Sequence, residues 1–90
     1  MRYIVYAIEY NGIVMHIGKT NDFKRRKREQ EYVGTKNSII PKGIDLRRVE
    51  IIELQMFNNL IKTLTYEETL KRKYVLNDKQ KWKSVEMHRF

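Results

Sequence analysis

Two charged side chains stand where helical periodicity places apolar ones, and both are of types that act on phosphate. At 100° per residue, Phe23, Arg26, Gln30 and Val33 fall on one stripe, with Arg25, Arg28 and Tyr32 on the opposite side. Arg26 therefore meets the body of the protein. An unpaired buried guanidinium costs several kcal/mol, so it needs a partner. A phosphate suits it through bidentate hydrogen bonds. A structural carboxylate such as Glu50 or Glu53 would also serve, and so would a stem that snorkels past Phe23 to water. Further along, Leu60, Leu64, Leu70 and Tyr74 share a stripe, with Glu67 inside it and Glu68 at its edge. A carboxylate there is either paired, most simply with Lys71 four residues on, or holds a metal. An inward arginine and an inward glutamate on two helices facing one sheet are the charge pair that phosphodiester hydrolysis requires.

The elements that must carry these residues are legible in outline. Arg2 to Tyr10 is dense in Tyr, Ile and Val on both faces, as in a strand covered on one side and partly on the other. Asn11-Gly12 is a strong hairpin signal, and Ile13 to Ile17 supplies the return strand, ended by Gly18. Thr20 or Asn21 can cap a helix running from Asp22 to about Tyr32, which Val33-Gly34 stops. Thr35 to Asp45 has no periodicity and reads as a loop long enough to carry function. Leu46 to Phe57 reads as a third strand, and Asn58 or Asn59 caps a longer helix reaching about Leu76. The order ββαβα predicts an α+β, two-layer sandwich: a small, mainly antiparallel three-stranded sheet with helices packed against it. Residues 78–90 fit neither helix nor strand decisively. Trp82 within them reads as core rather than a base-stacking platform, and His88 carries no partner signal.

Composition bounds the partner. Ninety residues form one domain, with its core at about 3–77 and a C-terminal extension at 78–90. Nineteen Lys and Arg against eleven Asp and Glu give a net charge of +8, which favours a polyanionic partner, nucleic acid first. A membrane surface is disfavoured because the most basic segment, Lys24 to Arg28, has almost no apolar face. The absence of cysteine excludes disulfides, zinc-thiolate sites and thiol catalysis, and fits a cytoplasmic protein. The apolar N-terminus, interrupted by Glu9 and ended at Asn11-Gly12, is too short for a signal peptide or a membrane span.

The triplet Ile4-Val5-Tyr6, the triplet His16-Ile17-Gly18, Arg26 eight residues beyond and Glu67 in a later helix together resemble the GIY-YIG nuclease domain. The likeness covers roughly residues 3–77. The stretch Glu67-Glu68-Thr69-Leu70-Lys71 looks like the family's glutamate followed three residues later by an aliphatic residue and a lysine, favouring Glu67 over Glu68, and Asn77 matches an asparagine that often follows. Three positions depart from the family. Ile4 replaces its glycine, His16 replaces its second tyrosine, and Gln30 stands where many members have a histidine.

The resemblance implies a divalent-metal-dependent endonuclease, with DNA as its expected substrate. In it, Glu67 would hold one Mg²⁺ or Mn²⁺ with waters completing the coordination. Arg26 would neutralise charge growing on the scissile phosphate. Tyr6, with His16 able to relay protons near neutral pH, would orient and deprotonate the attacking water. Lys19, Asn77 and the exposed Lys24, Arg25, Lys27 and Arg28 would contact the nucleic acid, the last four through salt-sensitive backbone attraction. Such a module has no room for a separate recognition domain, so selectivity would come from the loop, the C-terminal segment, a protein partner or a homo-oligomer. Two other classes remain open: an inactive module of the same fold that binds nucleic acid, and a small basic inhibitor or accessory protein that binds an acidic protein.

Parity in the hairpin bears on this site directly. A regular two-residue turn at Asn11-Gly12 pairs Tyr6 with Ile17, sending Tyr6 and His16 to opposite faces of the sheet. A shared active site requires one face, which predicts a three-residue loop or a bulge in this hairpin.

Overall fold

The structure is a computed structural model in which residues 2–74 are described. Asn77, Trp82, His88 and the extension at 78–90 lie outside the described residues.

Strand β1, Tyr3–Tyr10, is followed by β2, Ile13–Thr20, across a two-residue turn. Asn11 has φ 51° and Gly12 φ 80°, the left-handed pair that a type I′ turn demands and that these two residue types tolerate best. Helix α1, Phe23–Glu31, is capped by Asp22 and not by Thr20 or Asn21: the Asp22 carboxylate accepts the Arg25 N–H at 3.1 Å, while the Thr20 hydroxyl accepts the N–H of Asp22 itself. Helix α2, Leu60–Tyr74, starts at Asn59, whose side chain accepts the Lys62 N–H at 3.0 Å. Between them a single 3₁₀ turn, Leu46–Arg48, leads into β3, Val49–Phe57, so the third strand begins three residues later than its apolar pattern implies. Strand β2 runs through Gly18 to Thr20 instead of ending at the glycine.

The sheet is antiparallel throughout, in the order β2-β1-β3. The central place of β1 explains its continuous apolar run. Val5, Tyr6, Ala7, Ile8 and Tyr10 are all buried, with alternate residues facing opposite sides. The α+β class, the antiparallel sheet and the ββαβα order are as expected. The helices, however, divide between the two faces, so the sheet is the middle of the sandwich. On one face Tyr6, Ile8, Tyr10 and Met15 pack with Ile40 and Ile44 of the long loop, with Phe23 at the start of α1 and with Val33 in the turn that follows it. On the other, Val5, Ala7 and Ile17 pack under Tyr66 and Leu70 of α2 and beside Phe57.

Helix α2 is also rotated from its expected orientation. Leu60, Leu64 and Tyr74, placed on the inner stripe by periodicity, are each about two-fifths exposed, whereas Thr63 and Glu67 are buried. Tyr66 packs on Phe57 with ring centroids 5.2 Å apart, and Leu70 reaches the sheet. Large aromatic contact area sets the rotation, and the leucines follow it outward.

Candidate functional site

The hairpin combines the two-residue turn with a bulge. Tyr10 pairs with Ile13 and Glu9 with Val14, but Ile8 pairs with His16, so Met15 is an extra residue on β2. Met15 enters the core beside Tyr6, Ile8 and Tyr10, which holds the bulge in place. Its effect is to restore parity. His16 returns to the face of Ile8 and Tyr6, and the Tyr6 and His16 rings lie tilted with centroids 6.1 Å apart.

Tyr6 pairs across the sheet with Gly18. A Cβ at position 18 would stand 2.6 Å from both Cζ and the hydroxyl oxygen of Tyr6, so the tyrosine ring lies directly on the glycine backbone. Gly18 is thus required by a neighbour's side chain and not by turn geometry.

The Tyr6 hydroxyl is the centre of a polar cluster on an otherwise apolar face. It accepts a hydrogen bond from Arg26 Nε at 3.2 Å and another from Gln30 Nε2 at 3.3 Å. Arg26 and Gln30 are four apart on α1, one turn above another on its inner stripe. Arg26 Nη1 donates to the Asn37 carbonyl at 2.9 Å and lies 3.5 Å from Glu29 Oε1. Nη2 has no acceptor among the described residues. Partial burial works to lower the Arg26 pKa, but its bonds to Tyr6 and Glu29 and their charge outweigh it and hold the pKa above the usual arginine value. The guanidinium is a permanent cation. Neither Glu50 nor Glu53 is its partner, because the loop and α1 itself supply the acceptors.

Gln30 is wholly buried and is the residue whose weight the sequence concealed. Its Oε1 accepts the Ile39 N–H at 2.9 Å, and its main-chain carbonyl accepts Ser38 Oγ at 2.6 Å. Its place on the stripe with Phe23 and Arg26 was the available signal. The loop at Thr35 to Asp45, which has no periodicity in sequence, is pinned to the site through Asn37, Ser38 and Ile39 and to the core through Ile40 and Ile44.

Glu67 is not part of this cluster. It sits on α2 over the other face, and its carboxylate, about nine-tenths buried, lies 3.6 Å from Lys71 Nζ in the simple i,i+4 pair. Glu68 is exposed and pairs with Arg72 at 3.1 Å. Lys19 pairs with Val5, which places it on the α2 side and away from the Tyr6 face, although its side chain is exposed. Lys24, Arg25, Lys27 and Arg28 are all exposed along α1. No three His, Cys, Asp or Glu side chains converge as metal ligands among the described residues. A divalent ion on Glu67 would therefore draw its other ligands from water and substrate, a donor set that suits Mg²⁺, which dehydrates reluctantly.

No family model, curated protein or solved structure matches this chain. No helix among the described residues is long and apolar enough to cross a membrane.

Proposed function

We propose that this protein is a divalent-metal-dependent nuclease that hydrolyses phosphodiester bonds, with DNA as substrate, through a site of GIY-YIG type. The observation that carries the reading is the assembly of Tyr6, His16 and Arg26 on one sheet face by the Met15 bulge. His16 joins the face of Tyr6 because the strand register shifts by one position, and Arg26 joins it from α1 through its bond to the Tyr6 hydroxyl. A permanent cation beside a phenol and an imidazole is a suitable set for a phosphate. The net charge of +8 and the exposed basic residues of α1 supply the attraction that brings a polyanion to it.

In this reading Arg26, through Nη2, which has no acceptor among the described residues, grips a non-bridging phosphate oxygen and offsets the charge that grows there. Tyr6 and His16 orient the attacking water, Tyr6 by donating its hydroxyl hydrogen, and His16 receives or passes on the proton. Glu67 is the carboxylate that would hold Mg²⁺ or Mn²⁺ once released from Lys71, and the ion would supply positive charge near a leaving oxygen. Because Glu67 lies on α2, the substrate would have to meet it from across edge strand β2, over which α2 packs. A cytoplasmic setting fits the cysteine-free composition.

A second reading is favoured by the Glu67–Lys71 ion pair on the far face: a catalytically inactive module that binds nucleic acid through α1. The two separate cleanly. Purified protein is incubated with plasmid, single-stranded and branched DNA plus Mg²⁺ or Mn²⁺, beside Arg26→Ala and Glu67→Ala. Cleavage that falls by about 100-fold or more in both variants, with DNA affinity kept in Glu67→Ala, supports the nuclease. Binding without cleavage supports the module, and cleavage that survives both substitutions overturns the assignment of this site.

A further inference from the structure

The Gln30 carboxamide has a polarity that the structure fixes. The Ile39 N–H can only donate, so the carboxamide oxygen must face it and the NH₂ group must face Tyr6. Arg26 Nε–H can likewise only donate. The Tyr6 oxygen therefore receives two hydrogen bonds from α1, and its own hydrogen is left to point away from the helix. A carboxamide keeps this arrangement at every working pH, because it does not titrate.

From this geometry we propose that Gln30 is a positioning residue: it sets Tyr6 as a hydrogen-bond donor toward the substrate, and it does so only while the loop at Asn37–Ile39 is docked on α1. The proposal rests on the nuclease reading for its functional meaning. Docking is read through three bonds, from Arg26 Nη1 to the Asn37 carbonyl, from Ser38 Oγ to the Gln30 carbonyl and from the Ile39 N–H to Gln30 Oε1. Each ties a loop residue to one of the two residues that hold the Tyr6 hydroxyl. When the loop departs, the carboxamide loses the contact that orients it and is free to turn its oxygen toward Tyr6. The phenol hydrogen would then be drawn inward, away from a phosphate or water. Loop docking thereby becomes a condition for the productive form of the site, and a substrate or partner that holds the loop would switch the site on.

Four single substitutions, one double variant and two kinds of measurement test this. Gln30→Glu preserves shape and the acceptor for Ile39 but places a second acceptor against Tyr6. It is expected to lower kcat for DNA cleavage by about 10- to 100-fold while KM changes less than about threefold. Ser38→Ala leaves Tyr6, Arg26 and Gln30 intact and loosens only the loop. It is expected to lower kcat in the same direction, more weakly, and to speed amide exchange at Ile39. A purely structural role would shift thermal stability without this split between kcat and KM.

The second measurement needs no activity. Unfolding equilibria of Tyr6→Phe, Gln30→Met and the double variant form a cycle in which the effect of Gln30→Met should shrink by about threefold or more once Tyr6→Phe is present. Additive effects, or Ile39 exchange unchanged in both Gln30→Met and Ser38→Ala, would overturn the coupling. Should the wild-type protein cleave no DNA, the nuclease reading falls by itself, and the cycle with the exchange data still decides whether Gln30 links the loop to Tyr6.

Discussion

Arg26 Nε donates to the Tyr6 hydroxyl at 3.2 Å, joining a helix residue to the middle of the central strand across twenty positions of sequence. The contact answers the question of what an inward arginine is doing on an apolar stripe. Its Nε and Nη1 are engaged by a phenol, a main-chain carbonyl and a carboxylate, beside the packed rings of Tyr6 and Phe23, whose centroids are 6.4 Å apart. Tyr6→Phe removes the acceptor while keeping the ring. We expect a loss of about 1 to 2 kcal/mol in urea unfolding, since two donors lose their partner, together with loss of cleavage at unchanged DNA affinity.

Gly18→Ala tests the close approach of the tyrosine to the β2 backbone. The new Cβ would fall 2.6 Å from the Tyr6 ring, well inside contact distance, and a fully buried ring has little room to retreat. A destabilisation of about 1 to 3 kcal/mol is expected, read by thermal or urea unfolding. A change below about 0.5 kcal/mol would show that the ring does not sit on Gly18.

Asp45 contributes to the acid response of the fold. The side-chain hydrogen bond from Arg47 lowers its pKa, against the opposing effect of burial, with further lowering by the Arg47 N–H and by Arg48. A carboxyl held below its ordinary value stabilises the fold fully above about pH 4 and loses that contribution as pH falls through the folded value. Asp45 also caps the 3₁₀ turn that leads into β3. Thermal unfolding of the wild type should therefore weaken below about pH 4 more steeply than that of Asp45→Asn. Equal slopes for the two would remove Asp45 from the acid transition.

The basic face of α1 predicts a salt response. Each phosphate contact contributes about 0.9 to the slope of log K against log salt on duplex DNA. Replacing Lys24, Arg25, Lys27 and Arg28 together by Gln should lower that slope by about 3 to 4 if all four engage. These side chains are exposed, so folding should be little changed. An unaltered slope would place the nucleic-acid surface elsewhere.

Much of this molecule is written in local pattern. The Asn11-Gly12 turn, the cap at Asn59 and the continuous apolar run of β1 follow from residue types acting on their own backbone, whereas the cap of α1 falls on Asp22 and not on Thr20 or Asn21. The inward position of Arg26 follows equally from helical spacing. The rotation of α2 does not, because periodicity counts leucines and cannot weigh them against one tyrosine stacked on Phe57. Lys19 and Glu67 were placed with the other candidates for the same reason: nothing in spacing says which face of the sheet a helix will cover.

The hairpin shows where the division falls. Parity along β1 and β2 reveals that Tyr6 and His16 can share a face only if one residue is inserted out of register, and that requirement is purely local arithmetic. That Met15 is the inserted residue was decided by the core, where its side chain fills space between Tyr6, Ile8 and Tyr10. Gln30 is the complementary case. The sequence places it on the inner stripe of α1, but its partners come from β1 and from a loop with no periodicity at all. Sequence alone determined the class of fold, the charge and the stripe on which Arg26 and Gln30 lie. Which atoms meet at the Tyr6 hydroxyl was settled only by tertiary packing, since burial of polar groups is satisfied by whichever donors and acceptors the folded chain brings within reach.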